Sequence, residues 1–306
     1  MTHCCRSYLS LMSSPKRHHY VPKWYLEAFA EPGTGFLHVF DIEAGAFRRQ
    51  RPKEVMVIGR YYRQAWAPSG ADSDILEKAL GEKFEPNAKK ALHRLIRSPT
   101  TITEEDTANI IVYLEIQRLR VPRQAGLASI LLRNAALANS PPELARALLS
   151  GKIEVTDTFR FDFMRMLNGK LSPYFGRMSW KIFEASEGSS FITTDSPVTF
   201  YNKDFLPPTE GGLALVGTSV CFPIDTKHML VMSHPEYIGG KCKSPSDVIQ
   251  EPEKKDRGIP LGIGTVWTSA EVDRQNWMMT QLAQRFVVAN DKEVLARAVQ
   301  AELGTA

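Results

Sequence analysis

The sequence predicts an α+β fold: an N-terminal β-hairpin, a helical middle and an antiparallel C-terminal sheet. Three observations carry this expectation. FLHVFD (Phe36–Asp41) and GAFRRQ (Gly45–Gln50) alternate apolar and polar residues around Ile42-Glu43-Ala44, the pattern of a hairpin. Apolar residues then recur at helical spacing from Leu76 to Leu95. After Ser179 short strand-like runs divided by turn residues return.

In chain order, residues 1–14 read as a loose extension, with Met12 an alternative start, and 15–290 as one α+β domain followed by a C-terminal helix over 291–306. His18 to Phe29 reads as extended, because Pro22 keeps a helix from beginning before it. Arg51–Trp66 is mixed, and Tyr61-Tyr62 open a short strand. Leu76, Leu80, Phe84, Ala88, Ala91, Leu92 and Leu95 share a helical face, which Pro86 either kinks or restarts. Thr103 is an N-cap with Glu104, Glu105 and Asp106 in the positive first turn, and that helix stops at Pro122. Helices follow over Gln124–Asn139, Pro142–Ser150 and Asp157–Leu167. SWKIFEAS (Ser179–Ser186) and SFITTD (Ser190–Asp195) form a second hairpin across Glu187-Gly188-Ser189, continued by PVTFY, LALVGTSVCFPI and HMLVMS. Gly239–Gly264 reads as a long loop, Ser269–Gln284 as a helix, Arg285–Ala289 as a closing strand and Asp291–Leu303 as the last helix.

Composition bounds the function classes. With 43% hydrophobic and 24% charged residues among 306, the chain is an ordinary soluble globular one, expected in the cytosol with no membrane partner. Four cysteines, two adjacent and two isolated, support neither a disulfide framework nor a zinc cage. A net charge of +4 tolerates a polyanionic partner without demanding one. Three basic clusters fit either solvated faces or a phosphate- or RNA-binding surface: Arg48-Arg49-Gln50-Arg51, Lys89-Lys90 with Arg94 and Arg97, and Arg118 with Arg120 and Arg123. No P-loop, GxGxxG, HExxH or GxSxG motif is present.

Candidate site residues are polar groups where the pattern calls for apolar ones, since an unanswered buried polar group costs about 1–3 kcal/mol. Gln117 follows Ile110 and Leu114 and precedes Val121 on the buried stripe, with Arg120 beside it. The pair fits a structural amide and helix cap, or a pocket wall facing an anion. Glu85, at the edge of the apolar face, fits an N-cap or a carboxylate held by a cation or metal. Asp195, closing an apolar strand in FITTDSPV, fits a turn-maker or a group at a cleft. His18 and His19 point to opposite sides of an extended segment, so one packs while the other turns inward; Tyr20 shares the side of His18.

These stretches resemble a family of unknown function, the domain-of-unknown-function family 4238. Its opening signature is similar to HHYVPKWYLEAF here, and its later ones to FLHVFD, FEPNAKKAL, QRLRVPR and TTDSPV. The resemblance runs from about His18 to Ala289. Members often have Arg-Thr-Pro where this chain has Arg120-Val121-Pro122, which removes a hydroxyl from the neighbourhood of Arg120. The resemblance implies a fold and marked positions but no activity.

Two readings follow. In the first the chain is a hydrolase or nuclease acting on a nucleotide or nucleic acid, in a bacterial defence or toxin setting. His18, His19, Glu85 and Asp195 are its catalytic groups, Tyr20, Gln117 and Arg120 bind substrate, and a divalent cation is an optional cofactor. In the second it is a non-catalytic sensor or binding module, and the same residues form a structural network. An RNA-binding protein using the arginine clusters is a third class.

Overall fold

Pro22 separates the first two elements. Strand β1 (Arg17–His19) precedes it and helix α1 (Lys23–Leu26) follows at once, continued by a 3-10 turn over Glu27–Phe29. The extended reading therefore holds only as far as His19. Proline blocks a helix upstream of itself but sits comfortably at a helix start, and Tyr25 and Leu26 both donate backbone bonds to its carbonyl. The computed structural model describes residues 17–62, 75–139, 141–150, 152, 169–240, 244–249 and 258–300. The extension expected over 1–14 and the helix expected over Asp157–Leu167 lie outside them.

Strands β2 (Leu37–Asp41) and β3 (Ala46–Gln50) form the expected hairpin, in register from Leu37↔Gln50 to Asp41↔Ala46. Gly45 takes φ 60° in its turn, and the Ala44 N–H donates to Asp41 Oδ1 at 3.2 Å. Strand β4 (Val57–Gly59) pairs antiparallel with β1. The strand expected at Tyr61-Tyr62 thus lies earlier, and the two tyrosines follow in a turn. Met56 and Arg60, at φ 55° and 51°, break the extended run on either side of β4.

The helical middle begins with α2 (Ile75–Ala79), which widens into one π turn over Leu80–Phe84 before α3 (Glu85–Arg97). The helix runs on through Pro86: Phe84 and Glu85 keep helical backbone angles, and the π turn just before the proline accommodates it. Helix α4 (Glu104–Leu119) carries the expected cap: Thr103 Oγ1 accepts the Asp106 N–H at 3.1 Å, and Asp106 Oδ2 accepts the Thr103 N–H at 3.0 Å. Helices α5 (Pro122–Asn139) and α6 (Pro142–Leu149) follow, then α7 (Ser172–Arg177). Among the described residues no helix is long and apolar enough to cross a membrane.

The C-terminal half supplies β5 (Ser179–Ala185), β6 (Thr193–Thr194), β7 (Thr199–Tyr201), β8 (Ser219–Pro223) and β9 (His228–Ser233). After the short helix α8 (Pro235–Ile238) come β10 (Leu261–Trp267), α9 (Ser269–Leu282), β11 (Phe286–Ala289) and α10 (Lys292–Gln300). A mixed sheet has the order β10-β5-β9-β8-β7, with only the β10–β5 pair parallel. The architecture is α+β, as expected.

Two local expectations are corrected. β5 does not fold back on Ser190–Asp195; it pairs with β9 and β10. The turn is real, with the Ser189 N–H on the Ser186 carbonyl at 3.1 Å, but the chain leaving it crosses to a second sheet, β3-β2-β11-β6. There β6 pairs with β11, and β11 also pairs with β2, so a C-terminal strand completes the N-terminal hairpin. Leu261–Gly264, expected in the long loop, open β10; their Leu-Gly-Ile-Gly pattern carries too little alternation to announce a strand.

Tyr25 ties α1 to both sheets. Its hydroxyl donates to the Pro223 carbonyl on β8 at 2.7 Å and lies 2.8 Å from Thr193 Oγ1 on β6, with the ring wholly buried against Phe29 and Phe222. Tyr25→Phe leaves both oxygens unanswered and is expected to lower unfolding free energy by about 1–3 kcal/mol in urea denaturation. A smaller change would remove Tyr25 as the link between the sheets.

Candidate functional site

Gln117 lies on the apolar face of α4 with Ile110 and Leu114, a stripe continued past the helix end by Val121, all buried, so its amide must find partners inside the protein. Its Nε2 donates to the Tyr20 carbonyl at 3.0 Å. Its Oε1 accepts from Arg120 Nε at 2.8 Å and Nη2 at 2.5 Å. Arg120 Nη1 donates to Glu85 Oε1 at 2.8 Å, and Glu85 Oε2 accepts the Trp24 indole N–H at 3.1 Å. An unbroken chain therefore leaves the N-terminal segment at Tyr20, crosses α4 and α3, and returns at Trp24. Arg120 is 1% exposed. Burial alone would lower its pKa, but the oxygens of Tyr62, Glu85 and Tyr113 around it more than offset that, and it stays charged.

The two histidines take different surroundings. His18 is fully buried; its Nδ1 accepts the Tyr62 N–H at 2.9 Å and its ring stacks on that of Tyr62 at 5.8 Å. His19 stands near Glu85 and Arg120. Burial depresses its pKa, opposed by a hydrogen bond to the Pro52 backbone. At neutral pH its imidazole is therefore uncharged, and its Nε2, like the Tyr113 hydroxyl, is buried with no hydrogen-bond partner.

Asp195 and the Tyr20 side chain belong to a neighbouring cleft of about 530 Å³, whose wall also includes Met56, Glu43, Glu54 and Arg285. The Asp195 carboxylate accepts three consecutive backbone N–H groups, from Gln284 at 2.9 Å, Arg285 at 2.7 Å and Phe286 at 3.3 Å. Burial still prevails and raises its pKa. The Tyr20 hydroxyl is pushed up by burial and by Asp195. Met56, left-handed at φ 55°, stores about 1–3 kcal/mol of backbone strain and presents its carbonyl to the Tyr20 N–H at 3.2 Å.

The structure thus joins Glu85, Gln117 and Arg120 in one hydrogen-bonded chain, with His19 near enough to feel the charges of Glu85 and Arg120, sets Tyr20 and Asp195 on the adjoining cleft, and packs His18 apart against Tyr62. Trp24, Tyr62, Tyr113 and Arg285 complete these arrangements. The aromatic density of KWYLEAF signals Trp24 in the sequence; nothing local signals Arg285. Among the described residues no three His, Cys, Asp or Glu side chains gather as metal ligands. The third arginine cluster also turns inward. Arg118 holds Glu210 through two bonds at 3.0 and 2.8 Å, and Arg123 approaches the same carboxylate at 3.3 Å. Burial would raise the Glu210 pKa, but these cations hold it below the usual carboxylate range. Arg120 is thus sealed inside, while Arg118 and Arg123, paired with Glu210, line a cavity of about 650 Å³.

Arg120→Met strands the Glu85 carboxylate and the Gln117 amide and is expected to cost about 3 kcal/mol or more; adding Glu85→Leu recovers part of it. A single variant within 1 kcal/mol of the wild type would deny the chain a structural role. His19 and His234 both have folded pKa values depressed by burial below the usual 6.5. Each contributes stability that is full above pH 6.5 and lost as pH falls through its folded value. His228, whose pKa is raised by its bond to Asp225, acts in the opposite sense, so the measurement is a comparison: from pH 7.5 to 5.5 the melting temperature of the wild type should move less favourably than that of His19→Gln.

No curated protein and no solved structure matches the chain. A family model described as a protein of unknown function, DUF4238, matches residues 17–293, a span holding both the buried chain and the cleft. By that match over most of its length, the chain belongs to the DUF4238 family.

Proposed function

We propose that this protein is a binding or sensor module in which the Gln117–Arg120–Glu85 chain is scaffold and the cleft beside Tyr20 is the ligand site. The observation that carries this reading is the commitment of Arg120: with 1% exposure and its Nε, Nη1 and Nη2 all engaged, it has no fork to offer a substrate. The open space lies on the other side of Tyr20, among three carboxylates, Glu43, Glu54 and Asp195, and one guanidinium, Arg285. Arg285 is already shared between Asp41 and Glu43. That balance suits a small ligand bearing an amine better than a nucleotide or nucleic acid.

A second reading, a hydrolase or nuclease acting on a nucleotide or nucleic acid with His19 as general base, is favoured by the unanswered Nε2 of a neutral imidazole beside Glu85 and Arg120. In that reading a divalent cation would draw on the nitrogen of His19 and the carboxylate of Glu85.

Spermidine is expected to raise the melting temperature of the wild type, and the rise should vanish in a Glu43→Gln/Glu54→Gln variant, whose two positions are exposed. ATP should give no such rise. Turnover of bis(4-nitrophenyl) phosphate, with or without Mn²⁺, that disappears in His19→Ala at unchanged melting temperature would replace this reading with the hydrolase.

A further inference from the structure

The cavity of about 650 Å³ lined by Arg118 and Arg123 lies where α5, β7, the loop over 208–212 and the end of α9 meet, and its size is that of a small-molecule site. Direct bonds hold these walls together. Arg118 donates to the Val198 carbonyl just before β7 at 2.9 Å, and its guanidinium lies 4.2 Å over the Phe200 ring. Glu210, which Arg118 also holds, accepts the Phe200 N–H at 2.9 Å. Arg123, in the first turn of α5, donates to the Pro208 carbonyl at 2.8 Å and to the Leu282 carbonyl at the end of α9. Gln284 is the one residue this lining shares with the Tyr20 cleft.

The two guanidiniums differ in how far they are spent. Arg118 has every N–H answered, because the Gln124 amide oxygen, turned toward it, accepts from Nη2 at 3.1 Å and Nε at 3.3 Å. Arg123 Nε forms no hydrogen bond among the described residues, and its side chain is 23% exposed. Both cations share Glu210, the one carboxylate on this lining, so one positive charge is left over. Asp195 also feels the charge of Arg123, but it lines the other cleft and its oxygens are taken by three backbone N–H groups. The large apolar side chains on the wall are Phe200 and, three residues apart on α5, Leu127 and Ile130. Leu127 is 46% and Ile130 58% exposed, apolar surface that the protein itself does not cover. A Cβ at Gly126 or Gly212, both on the lining, would meet nothing within 4 Å, so there is open space beside each.

One excess positive charge beside an apolar wall sets what fits. An alkylammonium is repelled. A phosphate monoester brings nearly two negative charges, more than the single one left over here. A carboxylate brings one, forms charge-assisted hydrogen bonds with a guanidinium, and leaves its apolar body to cover Leu127 and Ile130. We propose that this cavity binds a small monocarboxylate with an apolar body, its carboxylate at Arg123 and its body against Leu127, Ile130 and Phe200. The proposal does not depend on the amine reading of the Tyr20 cleft.

The test is calorimetric titration of the full chain with octanoate, and with octanol and octylammonium, which carry the same chain under a neutral and a positive head. Saturable octanoate binding is expected, with octanol weaker by about tenfold or more and octylammonium without measurable binding. Ile130→Glu, at an exposed position, should keep the wild-type melting temperature and weaken octanoate by about tenfold or more, and Leu127→Glu should do the same. Arg123→Gln should bring octanoate down to the level of octanol; because Arg123 also holds two carbonyls, Ile130→Glu is the deciding variant. Octanoate should bind the Glu43→Gln/Glu54→Gln variant as it binds the wild type, and a missing spermidine response would sink the cleft reading alone. Three results would overturn the proposal: no saturable binding of octanoate; octanol or octylammonium bound as tightly as octanoate; or octanoate binding unchanged in Ile130→Glu.

Discussion

Arg120 carries a full charge in a place water does not reach, at the C-cap of α4, and much of the structure is arranged to answer it. Its partners come from its own helix at Gln117 and from the first turn of α3 at Glu85. Each of those residues then spends its remaining capacity on the N-terminal segment, Gln117 at the Tyr20 carbonyl and Glu85 at the Trp24 indole. One guanidinium therefore sets the distance between two helices and the place where the first residues dock. A buried ion pair of this kind adds little net stability over apolar packing, but breaking it strands a charge, so it penalises arrangements that separate the three segments.

Tyr25 and Asp195 extend the same logic to the sheets. The Tyr25 hydroxyl meets one oxygen from each sheet, and the Asp195 carboxylate gathers the three N–H groups that lead into β11. Because β11 lies between β2 and β6, the Asp195 turn places the strand that completes the N-terminal hairpin. Most polar groups singled out in the sequence are thus joints between segments far apart in the chain. Two buried polar atoms of this region, His19 Nε2 and the Tyr113 hydroxyl, have no hydrogen-bond partner.

The elements legible in advance share a local cause. The hairpin at Leu37–Gln50, the cap at Thr103 and the irregular turn before Pro86 are decided by residues within a few positions of one another. The misread ones share a different cause. SWKIFEAS and SFITTD flank a genuine turn, yet both runs are apolar enough to be buried on either face, and partner strands elsewhere in the chain outcompete the hairpin. Gln117 and Glu85 could be picked out because each interrupts an apolar helical face; Arg285 could not, because a charged residue at the start of a short strand breaks no pattern.

The sequence by itself determined most of the helices, the N-terminal hairpin, the family, and which polar residues must be answered inside, since periodicity, caps and the expense of burying polar atoms are written in neighbouring positions. Only the tertiary structure decided who answers whom: that Arg120 is sealed against Glu85 and Gln117 while Arg118 and Arg123 pair with Glu210, that Asp195 holds a backbone turn, and that β11 joins a hairpin formed more than two hundred residues earlier in the chain. Pairings across such separations follow from how whole faces pack together, and no local pattern encodes them.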